Sequence, residues 1–231
     1  MAGFAASFAI CAAAAVAAAV LGLGKPPTGR AAWLTLLAAV AAWAVANFLI
    51  GDRTAGHLLG TAALVTLAFL LGRAVAERVE RFGHLLPAAI VMAAADTWSV
   101  LAPAGVTQKV LERPELLPLL VLTFPYLGGD GSRVPLIGAM DIAVVVIFWH
   151  AARRFGLSDL RSAAATLAGF GITLAALLLL AVPLPALPFL AGSFVVAHRR
   201  AITLSRAEWI SVAIFAGALA LAGLLVGRLG L

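Results

Sequence analysis

Apolar stretches of about 20 residues, nearly free of charge, recur along almost the whole chain. Each is long enough to cross a hydrocarbon layer of roughly 30 Å. A soluble domain of 231 residues cannot bury that much apolar surface. Hydrophobic residues make up 64% of the chain, charged residues 11%, and the mean hydropathy is +1.10. The pattern predicts an all-α polytopic membrane protein with about eight transmembrane helices in a single membrane domain. The expected spans are 3–23, 31–50, 57–75, 85–104, 136–152, 160–182, 184–198 and 207–229.

The connections between most spans are short, as in "GKPPTGR", "AERVERFGH" and "HRRAITLSR". They carry most of the basic residues, so the pI near 11.0 reflects the positive-inside rule and not nucleic-acid binding. With the N-terminus outside, the inner loops hold Lys25, Arg30, Arg73, Arg78, Arg81, Arg153, Arg154, Arg161, Arg199, Arg200 and Arg206. The outer side holds only Arg53, Lys109, Arg113, Arg133 and Arg228. This asymmetry predicts a multi-pass protein of the cell membrane with both termini outside.

The single cysteine, Cys11, excludes an internal disulfide and a cysteine metal cluster. "SFAIC" lacks a basic n-region, and Ile10 stands where a small residue precedes a lipoprotein cysteine. The first segment is therefore expected to be a retained span and not a cleaved signal. "SRAE" at 205–208 reads as a capping box, Ser205 with Glu208, opening the last helix.

One connection is long. Residues 105–135 contain "LLVLTF", which is apolar, β-prone, too short to span and bracketed by Pro118 and Pro125. It is expected to be an extended segment at the membrane edge, with a re-entrant or interfacial loop as the alternative.

Eight of the ten acidic residues fall in loops or at span ends. Asp96, in "AAADTWSV", and Asp141, in "GAMDIAV", lie inside spans. A mid-membrane charge costs at least about 2.5–3.5 kcal/mol on insertion scales, which makes an intramembrane acid a functional candidate. Asp96 is expected roughly 12 Å below the outer surface and Asp141 roughly 8 Å below it, on adjacent spans. Two close carboxylates share one proton, so one can activate water while the other polarises a carbonyl. Isolated hydrogen-bonded acids, or a proton relay in a transporter, would leave the same trace in sequence. A proline-rich "PLPALPFL" begins the seventh span on the same side, where it keeps backbone groups free of helix hydrogen bonds.

Together these residues resemble the GxGD intramembrane aspartyl proteases, the presenilin and signal peptide peptidase family. That pattern is an Asp in one span, a GxGD Asp in the next, and a PAL motif two spans later. Here Asp96, Gly138-Ala139-Met140-Asp141 and Pro185-Ala186-Leu187 keep that order. "LVLTFP" at 120–125 is similar to the strand ending in Phe-Pro that precedes the second Asp in signal peptide peptidases. The resemblance covers residues 85–198. It implies a presenilin-like core in which Asp96 and Asp141 hydrolyse peptide bonds of a transmembrane-helix substrate without metal or cofactor. It further implies that Gly138, Ala139 and Met140, together with Pro185, Ala186 and Leu187, shape the substrate site. Leu120, Val121 and Leu122 would pair with an unwound substrate, satisfying the backbone groups that unwinding frees. Substrate helices with the N-terminus inside are the ones this orientation favours.

The chain departs from the family pattern in places. Ala95 replaces the Tyr before the first Asp, and Met140 replaces the second Gly of GxGD. Three spans precede the core, and one follows the PAL span. A prepilin peptidase-like protease is an alternative enzyme, although "DIAVVV" lacks the Lys usual after its Asp. A non-catalytic presenilin-like protein and a proton-coupled transporter are the alternatives of another class. His57, His84, His150 and His198 are expected at interfaces and not as metal ligands. Thr97 and Ser99 flank Asp96; either could hydrogen-bond in the site, but a bond back into the helix is expected of both. "RSAAATLAGFG" offers small residues for close helix packing.

Overall fold

The computed structural model describes residues 30–50, 54–102, 105–113, 116–125, 133–180 and 184–229. The expected first span, 3–23, and His57's side chain lie outside what is described. The described chain is mostly helical. Helix α1 covers Arg30–Ala44 and runs into a π-helical turn, Val45–Ile50; α2 covers Thr54–Ala76. A 3₁₀ turn at Phe82–His84 leads into α3, Leu85–Leu101. Short helices α4 (Val106–Leu111) and α5 (Leu117–Leu120) precede strands β1 (Val121–Pro125) and β2 (Arg133–Gly138). Helices α6 (Ala139–Arg154), α7 (Asp159–Leu180), α8 (Leu187–Ala197) and α9 (Arg206–Leu229) complete the order. Among the described residues, three helical stretches are long and apolar enough to cross a membrane: Leu58–Ala76, Phe82–Leu101 and Asp159–Leu180. Trp33–Leu49 and Leu187–Ala197 are shorter apolar helices.

The chain divides into two compact units. The first comprises Met1–Glu77 and Arg113–His150. In it α2 packs on α1, and α5 and β1 lie against α2. Strands β1 and β2 form an antiparallel pair that joins Val121 to Gly138 and Leu122 to Ile137, with an irregularity after Leu122. Residues 139–150 of α6 also belong here. From Ile142 to Trp149 every α6 side chain is 7% exposed or less. A helix apolar on all sides is suited to such full enclosure.

The second unit comprises Arg78–Glu112 and Ala151–Leu231. Helix α8 packs between α3 and α7, and α9 lies along α3. The small residues of "RSAAATLAGFG" let α7 and α8 approach closely. A Cβ at Gly169 would stand 2.8 Å from the Leu190 Cα. At the opposite end of α8, Phe82 and Phe194 ring His198, at centroid distances of 5.8 and 4.6 Å. The predicted capping box is formed: Ser205 N–H donates to Glu208 at 2.6 Å and Glu208 N–H to the Ser205 hydroxyl at 3.2 Å.

The structure departs from the expectations in four places. The expected extended segment is present as β1, but it has a partner strand, and Leu120 closes a helical turn before it. Residues 136–138 continue β2, so the helix of the expected fifth span, α6, starts at Ala139 and not at 136. The helix of the expected seventh span, α8, starts at Leu187 and not at 184. Pro188 occupies its first turn, where a missing N–H is harmless, while Pro185 stays outside it. The fourth departure is His198. It is not interfacial but 4% exposed, with Nε2 3.1 Å from the Ser162 hydroxyl.

Candidate functional site

In the second unit, α3 presents Asp96 five residues before its last residue, Leu101. Helix α8 has 11 residues, a rise of about 17 Å, well short of a hydrocarbon layer of roughly 30 Å. At the start of any helix the first N–H groups lack intrahelical partners. No side chain of the Ala186 N-cap satisfies them. Asp96 does so from another helix: its Oδ2 accepts the Leu187 N–H at 2.9 Å. The two residues stand 91 positions apart in sequence. The carboxylate also meets the positive end of the α8 dipole, where negative charge is favoured. Asp96 is thus brought together with Pro185, Ala186 and Leu187.

Its neighbours behave differently from one another. Thr97 bonds back to the Ala93 carbonyl at 2.7 Å, as expected of a hydroxyl in a helix. Ser99 departs from that expectation and does not bond back. It lies 2.8 Å from the Thr107 hydroxyl and accepts the Thr107 N–H at 3.1 Å, tying α4 to α3. The sequence offered no cue for that tie beyond two hydroxyls eight residues apart.

In the first unit, Asp141 lies in the first turn of α6. Its Oδ2 accepts the N–H of Gly138 at 3.0 Å, three residues back. This is the backward half of a capping box, closed by an acid in a position the helix dipole favours. Gly138 permits the close approach, since a Cβ there would sit 3.2 Å from that oxygen. Gly138 is also the last residue of β2 and faces Val121 across the sheet. The strand therefore hands directly into the helix that bears the carboxylate. Leu122 and its partner Ile137 are buried, whereas Leu120 is 50% exposed.

Met140 is 59% exposed and, with Ala139 and Ala143, lines an apolar cavity of about 530 Å³. The opposite wall includes Leu64, Ala68 and Leu71 of α2, with Trp33 of α1 at its edge. That volume falls within the range of ligand pockets. The bulk of Met140 is accommodated there, on a different face of α6 from Asp141, since successive helical residues diverge by about 100°. Among the described residues, no group of three or more His, Cys, Asp and Glu could hold a metal.

Asp96 belongs to one unit and Asp141 to the other. Chemically, each half holds a carboxylate beside backbone that is free of regular helix bonding: residues 184–186 in one, the β2–α6 junction in the other. In comparisons with family models, curated proteins and solved structures, the chain matches none of them. The functional reading therefore rests on these residues and their geometry.

Proposed function

We propose that the chain is a multi-pass intramembrane aspartyl protease of the GxGD type, in which Asp96 and Asp141 form the dyad. The observation that carries this reading is the 2.9 Å bond from Leu187 N–H to Asp96. Two elements picked out separately in sequence, an intramembrane acid and a Pro-Ala-Leu segment, meet at one carboxylate. In an aspartyl protease such a backbone donor holds one carboxyl in a fixed orientation. The second carboxyl would share its proton, and the pair would activate water and polarise the scissile carbonyl. The chain's residues would supply the whole reaction, without metal or cofactor.

Strand β1 supports the same reading. It belongs to a two-stranded sheet and has no strand on its other edge among the described residues. An unwound transmembrane segment could add there, satisfying the carbonyls and N–H groups that unwinding frees. β2 leads from that sheet straight to Asp141.

A second reading is a non-catalytic relative that binds transmembrane helices. It is favoured by Met140 in place of glycine. The deciding experiment is cleavage of a single-span, N-in substrate by purified protein in bilayers, beside Asp96→Ala and Asp141→Ala. Cleavage by wild type that is lost in both variants supports the protease. Capture of the substrate helix without cleavage by any of the three supports the binding protein. Cleavage that survives in both variants overturns the dyad.

A further inference from the structure

A groove of about 350 Å³ runs between α7 and α8, on a part of the second unit that the proposed chemistry does not use. Ala164, Ala165 and Ala168 form one wall, and Val196 and Ala197 belong to the other. The spacing on each helix, three or four residues, keeps these small side chains on one face. The groove ends at Arg161, which is exposed and has no acidic partner among the described residues. The nearby acid, Asp159, is bound to Arg153 at 2.6 Å. Arg199 and Arg200, both exposed, follow the last groove residue, Ala197, after the buried His198. Ser193, half-buried in the groove wall, carries a hydroxyl without a hydrogen bond among the described residues.

Apolar walls along a shallow groove and an unneutralised guanidinium at one end match a molecule built the same way. We infer that the α7–α8 groove binds an anionic glycerophospholipid. One acyl chain lies along Ala164, Ala165 and Ala168, and the phosphate sits on Arg161 within reach of the Arg199–Arg200 pair. A basic pocket between membrane helices on the cytoplasmic side is a recognised headgroup site, and the Lys and Arg asymmetry assigns this end to the cytoplasm. A zwitterionic lipid would fill the groove equally well but would bring a cation to the guanidinium end. This inference does not depend on the protease reading.

The test is lipid titration of the purified full chain in detergent, counting bound lipids by native mass spectrometry. The probes are dioleoyl phosphatidylglycerol, dioleoyl phosphatidylcholine and glycerol 3-phosphate. One phosphatidylglycerol is expected to bind more tightly than phosphatidylcholine, and glycerol 3-phosphate is expected not to be retained. Arg161→Gln should weaken retention of phosphatidylglycerol about fivefold, the effect of one surface cation, while Arg161→Lys retains most of it. Ala164→Leu with Ala168→Leu fills the groove at two exposed positions and should abolish the preference, with the thermal transition unchanged. Equal binding of the two lipids, or an Arg161→Gln protein that retains phosphatidylglycerol as wild type does, overturns the site. Retention of glycerol 3-phosphate at wild-type lipid affinity overturns the acyl groove.

Discussion

Asp96 and Asp141 both accept a backbone N–H, but the donors come from opposite kinds of neighbourhood. Asp141 bonds to Gly138, three residues away, within its own strand-to-helix junction. Asp96 bonds to Leu187 on another helix, 91 residues away. The first bond is local chemistry that any helix start can make. The second exists only because α3 and α8 pack together. One carboxylate is held by the chain, the other by the fold. A perturbation of packing should therefore reach Asp96 and leave the Asp141 bond intact.

The strongest way to break that asymmetry is Gly169→Leu. With no room for even a Cβ against Leu190, the substitution must push α8 away from α7. Overpacking of this kind costs about 1–3 kcal/mol or more. The thermal transition in detergent should fall markedly, and the Leu187 amide should exchange faster, while the Gly138 amide is unaffected. Asp96→Ala comes next. It leaves the Leu187 N–H without an acceptor, at about 1–3 kcal/mol, and hydrogen exchange should rise at Leu187 but not at Gly138. Asp141→Ala should show the reverse pattern and a smaller loss, about 1 kcal/mol, typical of a helix cap. The smallest effect belongs to Gly138→Ala. Its Cβ would crowd the Asp141 oxygen by only a few tenths of an ångström, so a loss of about 0.5 kcal/mol is expected, read as a small shift in the same transition.

The same contrast explains what could be read from sequence. Apolar length located the helices now seen at Thr54–Ala76, Leu85–Leu101 and Asp159–Leu180 to within a few residues, because membrane thickness constrains that length directly. The Ser205–Glu208 box was legible because both partners lie within one turn. Strand β2 was not, because "RVPLIG" is apolar enough to pass for the start of a span and becomes a strand only beside β1. The bond between Asp96 and Leu187 was not legible as a bond. The sequence showed an acid and a proline-flanked segment, and only the packing of α8 on α3 joins them. His198 misled for the same reason. Its position at a helix end suggests exposure, but Phe82, Phe194 and Ser162 from distant parts of the chain enclose it.

The most direct test of the shared-proton dyad does not require the natural substrate. An apolar peptide carrying a hydroxyl-bearing mimic of the tetrahedral intermediate presents the geometry that two carboxyls sharing a proton would bind. Its affinity would be measured for wild type, Asp96→Asn and Asp141→Asn in bilayers. The dyad predicts saturable binding to wild type and a loss on the order of 100-fold in each variant, because the mimic draws on both groups at once. Binding of equal strength to all three proteins, or to none, would contradict it.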